Sequence, residues 1–301
     1  VLIVLVVVLS VISPSFLSVS NIVNILRQTA LAFVLAAGMT IVILTGGIDL
    51  SMGSVLGLAG CLGAMLIKAH GNAIGILGAL AVGLFFGLIN GSMVVYVGLP
   101  SFLVTYGTMQ IARGLAIGVM RGNVIWGFAP SFRSLGAGAF MGIPNLVLSG
   151  LGVFVVMHFI LNYTTFGRKI YLVGDNARAA IHAGVNVKIT TLSVYAIAGI
   201  ISAFSGLMYV ARLNSAEAGL GNLFELDAIA AAVMGGTSIA GGRGTVFGTV
   251  IGALIITLLR NVLNLLGVSS LWQPFVIGLC IVLAVLMDQI LSREGGSEQE
   301  L

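Results

Sequence analysis

Residues 29–54 read TALAFVLAAGMTIVILTGGIDLSMGS. An uncharged apolar run, 29–44, stops at Gly46-Gly47, and a second, 52–67, resumes just beyond Asp49 and Ser51. Each run approaches the roughly 20 residues that cross a hydrocarbon core of about 30 Å. The whole chain has the same character: 59% of its 301 residues are hydrophobic, 7% are charged, and the mean hydropathy is +1.17. A soluble domain carries about 25% charged residues, so the shell that would cover a core of this size is missing. The composition predicts an all-α, polytopic integral membrane protein, with room for about eight to ten transmembrane helices. Its 42 glycines agree, since glycine lets membrane helices approach closely.

Further apolar runs cover 1–12, 73–97, 102–120, 146–160, 192–210, 228–234, 246–266 and 271–287. The run 228–234 is too short to span by itself, so some spans are expected to be discontinuous. Val1 lies inside the first run, so the native chain is expected to begin upstream. Residues 1–290 read as one membrane domain and 291–301 as a cytoplasmic tail. Glycines recur four apart at Gly83, Gly87 and Gly91, at Gly114, Gly118 and Gly122, and at Gly244, Gly248 and Gly252. Close helix crossing is the first reading of these stripes, and lining of a solute path the second.

Several chemistries are excluded. The net charge of +4 comes from scattered cations, without the basic stretch that tracks nucleic acid. Cys61 and Cys280 sit in apolar runs and read as packed thiols, and three scattered histidines make no metal site. There is no G-x-x-x-x-G-K-[ST], so this chain binds no ATP through a P-loop. No catalytic constellation stands out, and His158 reads as a packed helix residue. The cations Arg168, Lys169, Arg178 and Lys188 cluster in the connection 162–191, which places that loop in the cytoplasm. Counting outward through ten spans puts both termini there too. Arg27, Lys68, Arg121, Arg133, Arg212 and Arg260 fall outside or near it, so the orientation rests on density in one loop.

Three segments depart from generic membrane sequence. In 44–54, Gly46-Gly47 breaks a helix, and Asp49 with Ser51 can cap the next one. A carboxylate between apolar runs must be satisfied by capping, water or a partner, so a solute or proton path is the alternative role of Asp49. In 164–184, Asp175 reads as the N-cap of a short Ala-rich helix that Gly184 ends. A connection of this length, carrying a capped helix, is a surface for a partner to dock on. In 226–245, a short helix begins near Asp227 and ends in the Gly-rich turn after Gly235-Gly236.

These segments, in this order, resemble the permease subunits of bacterial ATP-binding-cassette (ABC) importers of the ribose type, as does the stretch 261–270. The resemblance covers essentially the whole chain. It implies ten helices in the vitamin-importer-like (type II) architecture, in the bacterial inner membrane, with a second permease completing the path. ATPase subunits holding ATP and Mg would dock below, and a periplasmic sugar-binding protein would deliver solute from above; this chain would bind no cofactor itself. The helix 176–183, within the coupling loop 163–189, would seat in the ATPase through Asp175, Asn176, Arg178, Ala179, Ala180, His182 and Gly184. Thr45, Asp49, Ser51, Asn90, Met93, Phe102, Thr237 and Ser238 are the candidates for the solute path. Two other readings stay open: a permease for branched-chain amino acids, and an ion-coupled secondary transporter using Asp49 and Asp227 beside broken helices.

Overall fold

The computed structural model describes residues 16–269, together with 272, 275–276 and 278–279. The runs 1–12 and 271–287 and the tail 291–301 therefore lie outside the described residues, apart from those few positions. In chain order the helices are α1 (Val19–Leu44), α2 (Met52–His70), α3 (Asn72–Ser92, continued as a π-helical turn Met93–Val97) and α4 (Ser101–Met120). After them come α5 (Pro130–Ala137), α6 (Asn145–Tyr163), α7 (Thr165–Asp175), α8 (Ala177–His182), α9 (Val187–Leu213), α10 (Phe224–Met234) and α11 (Val246–Leu265).

Among the described residues six helices are long and apolar enough to cross a membrane: α1, α2, α3 with its extension, α6, α9 and α11. Helix α4 has the length, at 20 residues, but carries Thr105, Thr108, Gln110 and Arg113 and falls outside that set. Helix α10 has 11 residues, or about 16 Å of rise, roughly half of a hydrocarbon core. It begins three residues before Asp227, on Leu223 in the left-handed region (φ 64°). The all-helical expectation needs one amendment. Four two-residue strands pair outside the helices: β1 (Ile125–Trp126) with β4 (Ser215–Ala216), and β2 (Ala139–Phe140) with β3 (Ile143–Pro144), both antiparallel.

Helices α1, α2 and α9 form the interior of the bundle, while α3 and α6 leave most of their surface uncovered. Two of the three glycine stripes pack as expected. A Cβ on Gly83 or Gly87 would overlap the backbone of Gly199 or Tyr195 on α9, and one on Gly248 or Gly252 would overlap Gly235 or Ala231 on α10. The third stripe behaves differently. Nothing lies within 4 Å of a Cβ placed on Gly114, Gly118 or Gly122, so this face of α4 makes no helix crossing within the described chain.

The connection 162–191 holds two helices, α7 and α8, rather than one. Asp175 is the last residue of α7, and the cap of α8 is Asn176, whose Oδ1 accepts from Ala179 N at 3.0 Å. Both side chains can cap, but Asn176 is the one in extended backbone (φ −156°, ψ 101°), the geometry a cap requires. Gly184 does end α8. It takes φ +77°, and Gly184 N and Val185 N donate to Ile181 O and Ala180 O, both at 2.9 Å. This pair of bonds satisfies the last carbonyls, and only the residue without a Cβ enters that conformation freely.

Candidate functional site: two helix breaks and an exposed helical loop

The same termination device makes both breaks inside the bundle. At the end of α1, Gly46 N donates to Ile43 O (2.8 Å) and Gly47 N to Val42 O (3.2 Å), with Gly46 at φ +77°. At the end of α10, Gly236 N donates to Val233 O (2.8 Å) and Thr237 N to Ala232 O (3.0 Å), with Gly236 at φ +88°. A Gly-Gly pair after an apolar run is therefore a stop signal with a local physical cause.

Between α1 and α2 a chain of hydrogen bonds crosses three elements. Asp49 is 1% exposed, and its Oδ1 accepts from Ser51 N (2.9 Å) and Ser51 Oγ (2.6 Å). Ser51 Oγ accepts from Asn90 Nδ2 on α3 (2.8 Å), and Asn90 Oδ1 accepts from Thr108 Oγ1 on α4 (2.7 Å). One turn earlier on α4, Thr105 Oγ1 accepts from Leu50 N (3.0 Å) and Ser101 Oγ accepts from Ile48 N (3.2 Å). The broken stretch thus finds partners for its free N–H groups on α4, as buried backbone must. The expected capping is corrected in detail. Ser51 stands at the N-cap of α2 without capping it, and Asp49 satisfies Ser51 rather than the first turn of α2.

The stretch that leads into α10 carries a second set of polar contacts. Residues 217–223 pack on α2, where a Cβ at Gly53 or Gly57 would overlap Gly221 O or Leu220 O. Arg113 on α4 donates from one guanidinium nitrogen to Ala218 O (2.7 Å) and Leu220 O (2.9 Å), holding carbonyls that no regular structure uses. Glu225 is buried, and its Oε2 lies against Gly53 without a hydrogen-bond partner of its own among the described residues. Asp227 pairs with Arg260 of α11 at 2.6 Å, on a cavity of about 310 Å³ that Gln28, Tyr209 and Arg212 also line.

The three unusual sequence segments meet at one point. Gly242 N donates to Leu44 O, the last carbonyl of α1, at 3.0 Å. Tyr171 Oη on α7 donates to Gly244 O at 2.9 Å. A Cβ on Gly174 would overlap that same Leu44 carbonyl. Tyr171 is half-buried in this contact, and burial raises its pKa above the ordinary tyrosine value, so it stays a donor. Beneath the junction α8 is exposed on all sides but one: only Ala180 is buried, while Asp175, Asn176, Arg178, Ala179, His182 and Gly184 are exposed.

The path candidates divide by burial. Asp49, Ser51, Asn90 and Thr237 are buried, Thr45 and Ser238 are partly covered, and Met93 and Phe102 are exposed. Arg113, Thr105, Thr108 and Glu225 were missing from that reading as site residues. Arg113 and Glu225 had a signal, being charged groups in apolar surroundings; the threonines had none, since a threonine in a membrane helix is unremarkable.

Broken helices inside an apolar bundle, bonded to an exposed helical loop, are an arrangement that membrane-spanning transport components use. The family profile described as branched-chain amino acid transport system / permease component matches residues 21–285. The chain is 43% identical over 291 residues to the ribose import permease protein of Bacillus subtilis (strain 168), covering 96% of this chain and 90% of that one. It is 42% identical over 293 residues to the ribose import permease protein of Escherichia coli (strain K12), covering 95% and 91%. Identity to the D-allose transport system permease protein of the same strain is 37% over 280 residues, covering 92% and 86%. Comparison with solved structures gives no match. The chain belongs to this permease family and is a multi-pass integral membrane protein.

Proposed function

We propose that this chain is the permease subunit of an ATP-binding-cassette importer that carries a sugar or sugar-like solute of the ribose type. The observation that carries the reading is the exposed, doubly capped helix α8, joined through α7 to both helix breaks. A chain that only bridged two spans would need no such surface. ATP and Mg would be held by separate ATPase subunits seated on α8, and a periplasmic binding protein would present the solute on the opposite face. The relatives named for ribose and allose favour a sugar cargo over branched-chain amino acids.

The full architecture would have about ten spans in the type II arrangement, in the bacterial inner membrane, with both termini cytoplasmic. A second permease, a copy or a related chain, would complete the path. The uncovered face of α4 supports that arrangement. It carries Phe102, Tyr106 and Gln110 beside open space at Gly107, Gly114 and Gly118. An amide such as that of Gln110 is costly against lipid and suits a wet path or a partner. On this reading Phe102 and Met93 line the path, and Thr45 and Ser238 flank it. Asp49, Ser51, Asn90 and Thr237 shape it from behind.

The test is reconstitution of the assembled complex. Arg178→Glu and His182→Glu are expected to lower solute-stimulated ATP hydrolysis and uptake together, with the permease still in the membrane. Unchanged hydrolysis and uptake would remove α8 from the ATPase interface. Uptake by this chain without an ATPase, driven by an ion gradient, would replace the importer by a secondary transporter.

A further inference from the structure

We infer that Tyr171 and Gly174 are positioning residues that clamp the docking loop to both helix breaks, so that a displacement of α8 moves the end of α1 and the turn after α10 as one body. The inference rests on α8 being the ATPase-docking helix. Chain connectivity alone gives α8 only two routes into the membrane, forward into α9 and backward through α7 into α6. The forward route meets the first break through one side chain, Tyr195 of α9, whose Oη lies against Gly47.

The clamp adds a second route, made of backbone, that joins both breaks. The termination of α1 uses the carbonyls of Val42 and Ile43, which leaves Leu44 O as an orphan at a buried helix end. Gly242 N fills that vacancy from the far side of the sequence, so the first break is hydrogen-bonded to the turn that follows the second. Gly174 lies against the same carbonyl so closely that even a methyl group would overlap it. A Cβ at Gly241 would stand 2.9 Å from both Gly174 O and Gly46 N, which places all three strands of chain in one backbone-to-backbone contact. Tyr171, one turn before Gly174 on α7, adds the bond to Gly244 O at 2.9 Å. One residue, Asn176, separates α7 from α8, so motion of α8 is delivered directly to this junction.

Backbone contacts of this kind have no side-chain slack. A packed junction with two arrangements passes a shift on rather than absorbing it. On the other side of α8, in the connection to the Asn186 cap of α9, nothing among the described residues lies within 4 Å of a Cβ placed on Gly184 (φ +77°).

The experiment uses the complete complex in proteoliposomes: this chain, its ATPase subunits and the binding protein. It measures both ATP hydrolysed and solute taken up. Tyr171→Phe keeps the ring and deletes only the hydroxyl, so folding is preserved. The solute moved per ATP is expected to fall about two- to tenfold, the range set by one lost hydrogen bond. Gly174→Ala, which forces α7 off the end of α1, is expected to lower the same ratio further. Arg178→Glu should instead lower hydrolysis itself. An unchanged ratio in Tyr171→Phe, or a proportional fall of hydrolysis and uptake, would overturn the clamp while leaving the docking role of α8 intact. Hydrolysis untouched by Arg178→Glu would remove the docking role, and the clamp with it.

Discussion

Asp49→Asn and Asp49→Ala separate a carboxylate that holds structure from one that handles solute. Both bonds that Asp49 accepts from Ser51 fall on Oδ1, from Ser51 N at 2.9 Å and Ser51 Oγ at 2.6 Å. Asparagine offers the same oxygen in the same place, so both contacts survive. Each drops from a charge-assisted bond of about 1.5–3 kcal/mol to a neutral one near 1 kcal/mol. Against that loss stands the cost of burying an ionised carboxylate, which is several kcal/mol and vanishes in the amide. The two changes nearly cancel, so Asp49→Asn should leave stability within about 1 kcal/mol of the parent and retain most uptake.

Alanine deletes both acceptors. The Ser51 N–H and hydroxyl lose their buried partner, at about 1–3 kcal/mol each, and the loss passes on to Asn90 and Thr108. Relative to Asp49→Asn, in which the cost of the buried carboxylate is already gone, Asp49→Ala is therefore expected to cost roughly a further 2–6 kcal/mol, about 1–3 for each lost partner. Thermal unfolding of the purified complex in detergent measures the first quantity, and ATP-dependent uptake in vesicles the second. An Asp49→Asn complex that is folded, assembled and inactive would refute the structural role. So would an alanine variant no less stable than the asparagine one.

Two further contrasts test the local readings. Asn176→Ala removes the α8 cap and should destabilise that helix by about 1 kcal/mol, read as faster hydrogen exchange across 177–182, whereas Asp175→Ala should leave exchange there unchanged. Gly83→Ala forces a methyl into the Gly199 carbonyl and should lower the midpoint of thermal unfolding of the single chain. Gly118→Ala meets open space and should leave that midpoint alone while weakening association of two permeases in crosslinking; equal effects of the two on unfolding would sink the distinction.

Much of the fold was legible because its causes are local. Gly46-Gly47, Gly184 and Gly235-Gly236 each announced a stop, and each one ends its helix by the same left-handed turn. The cap of α8 was misplaced by one residue because Asp175 and Asn176 have the same capping chemistry. Backbone conformation, set by where α7 packs, chooses between them. The helix expected near Asp227 starts three residues earlier, at Phe224, because Leu223 in a left-handed conformation gives no signal in the residue order. Arg113 was passed over as part of an apolar run; its role depends on carbonyls more than a hundred positions away.

By itself the sequence determined that this chain lives in a bilayer, where its helices break, and which connection carries a short capped helix. Those properties follow from hydrophobicity, glycine conformation and capping, all of which act over a few residues. Only the tertiary structure decided that Asp49 is joined through Ser51 and Asn90 to Thr108, that Arg113 holds the chain leading into α10, and that the Gly114–Gly118 face is left open among the described residues. It also decided that Leu44, Gly174 and Gly242 share one contact. Each of these depends on how orphaned backbone groups find partners across the bundle, and that pairing is set by helix packing, which residue order leaves open.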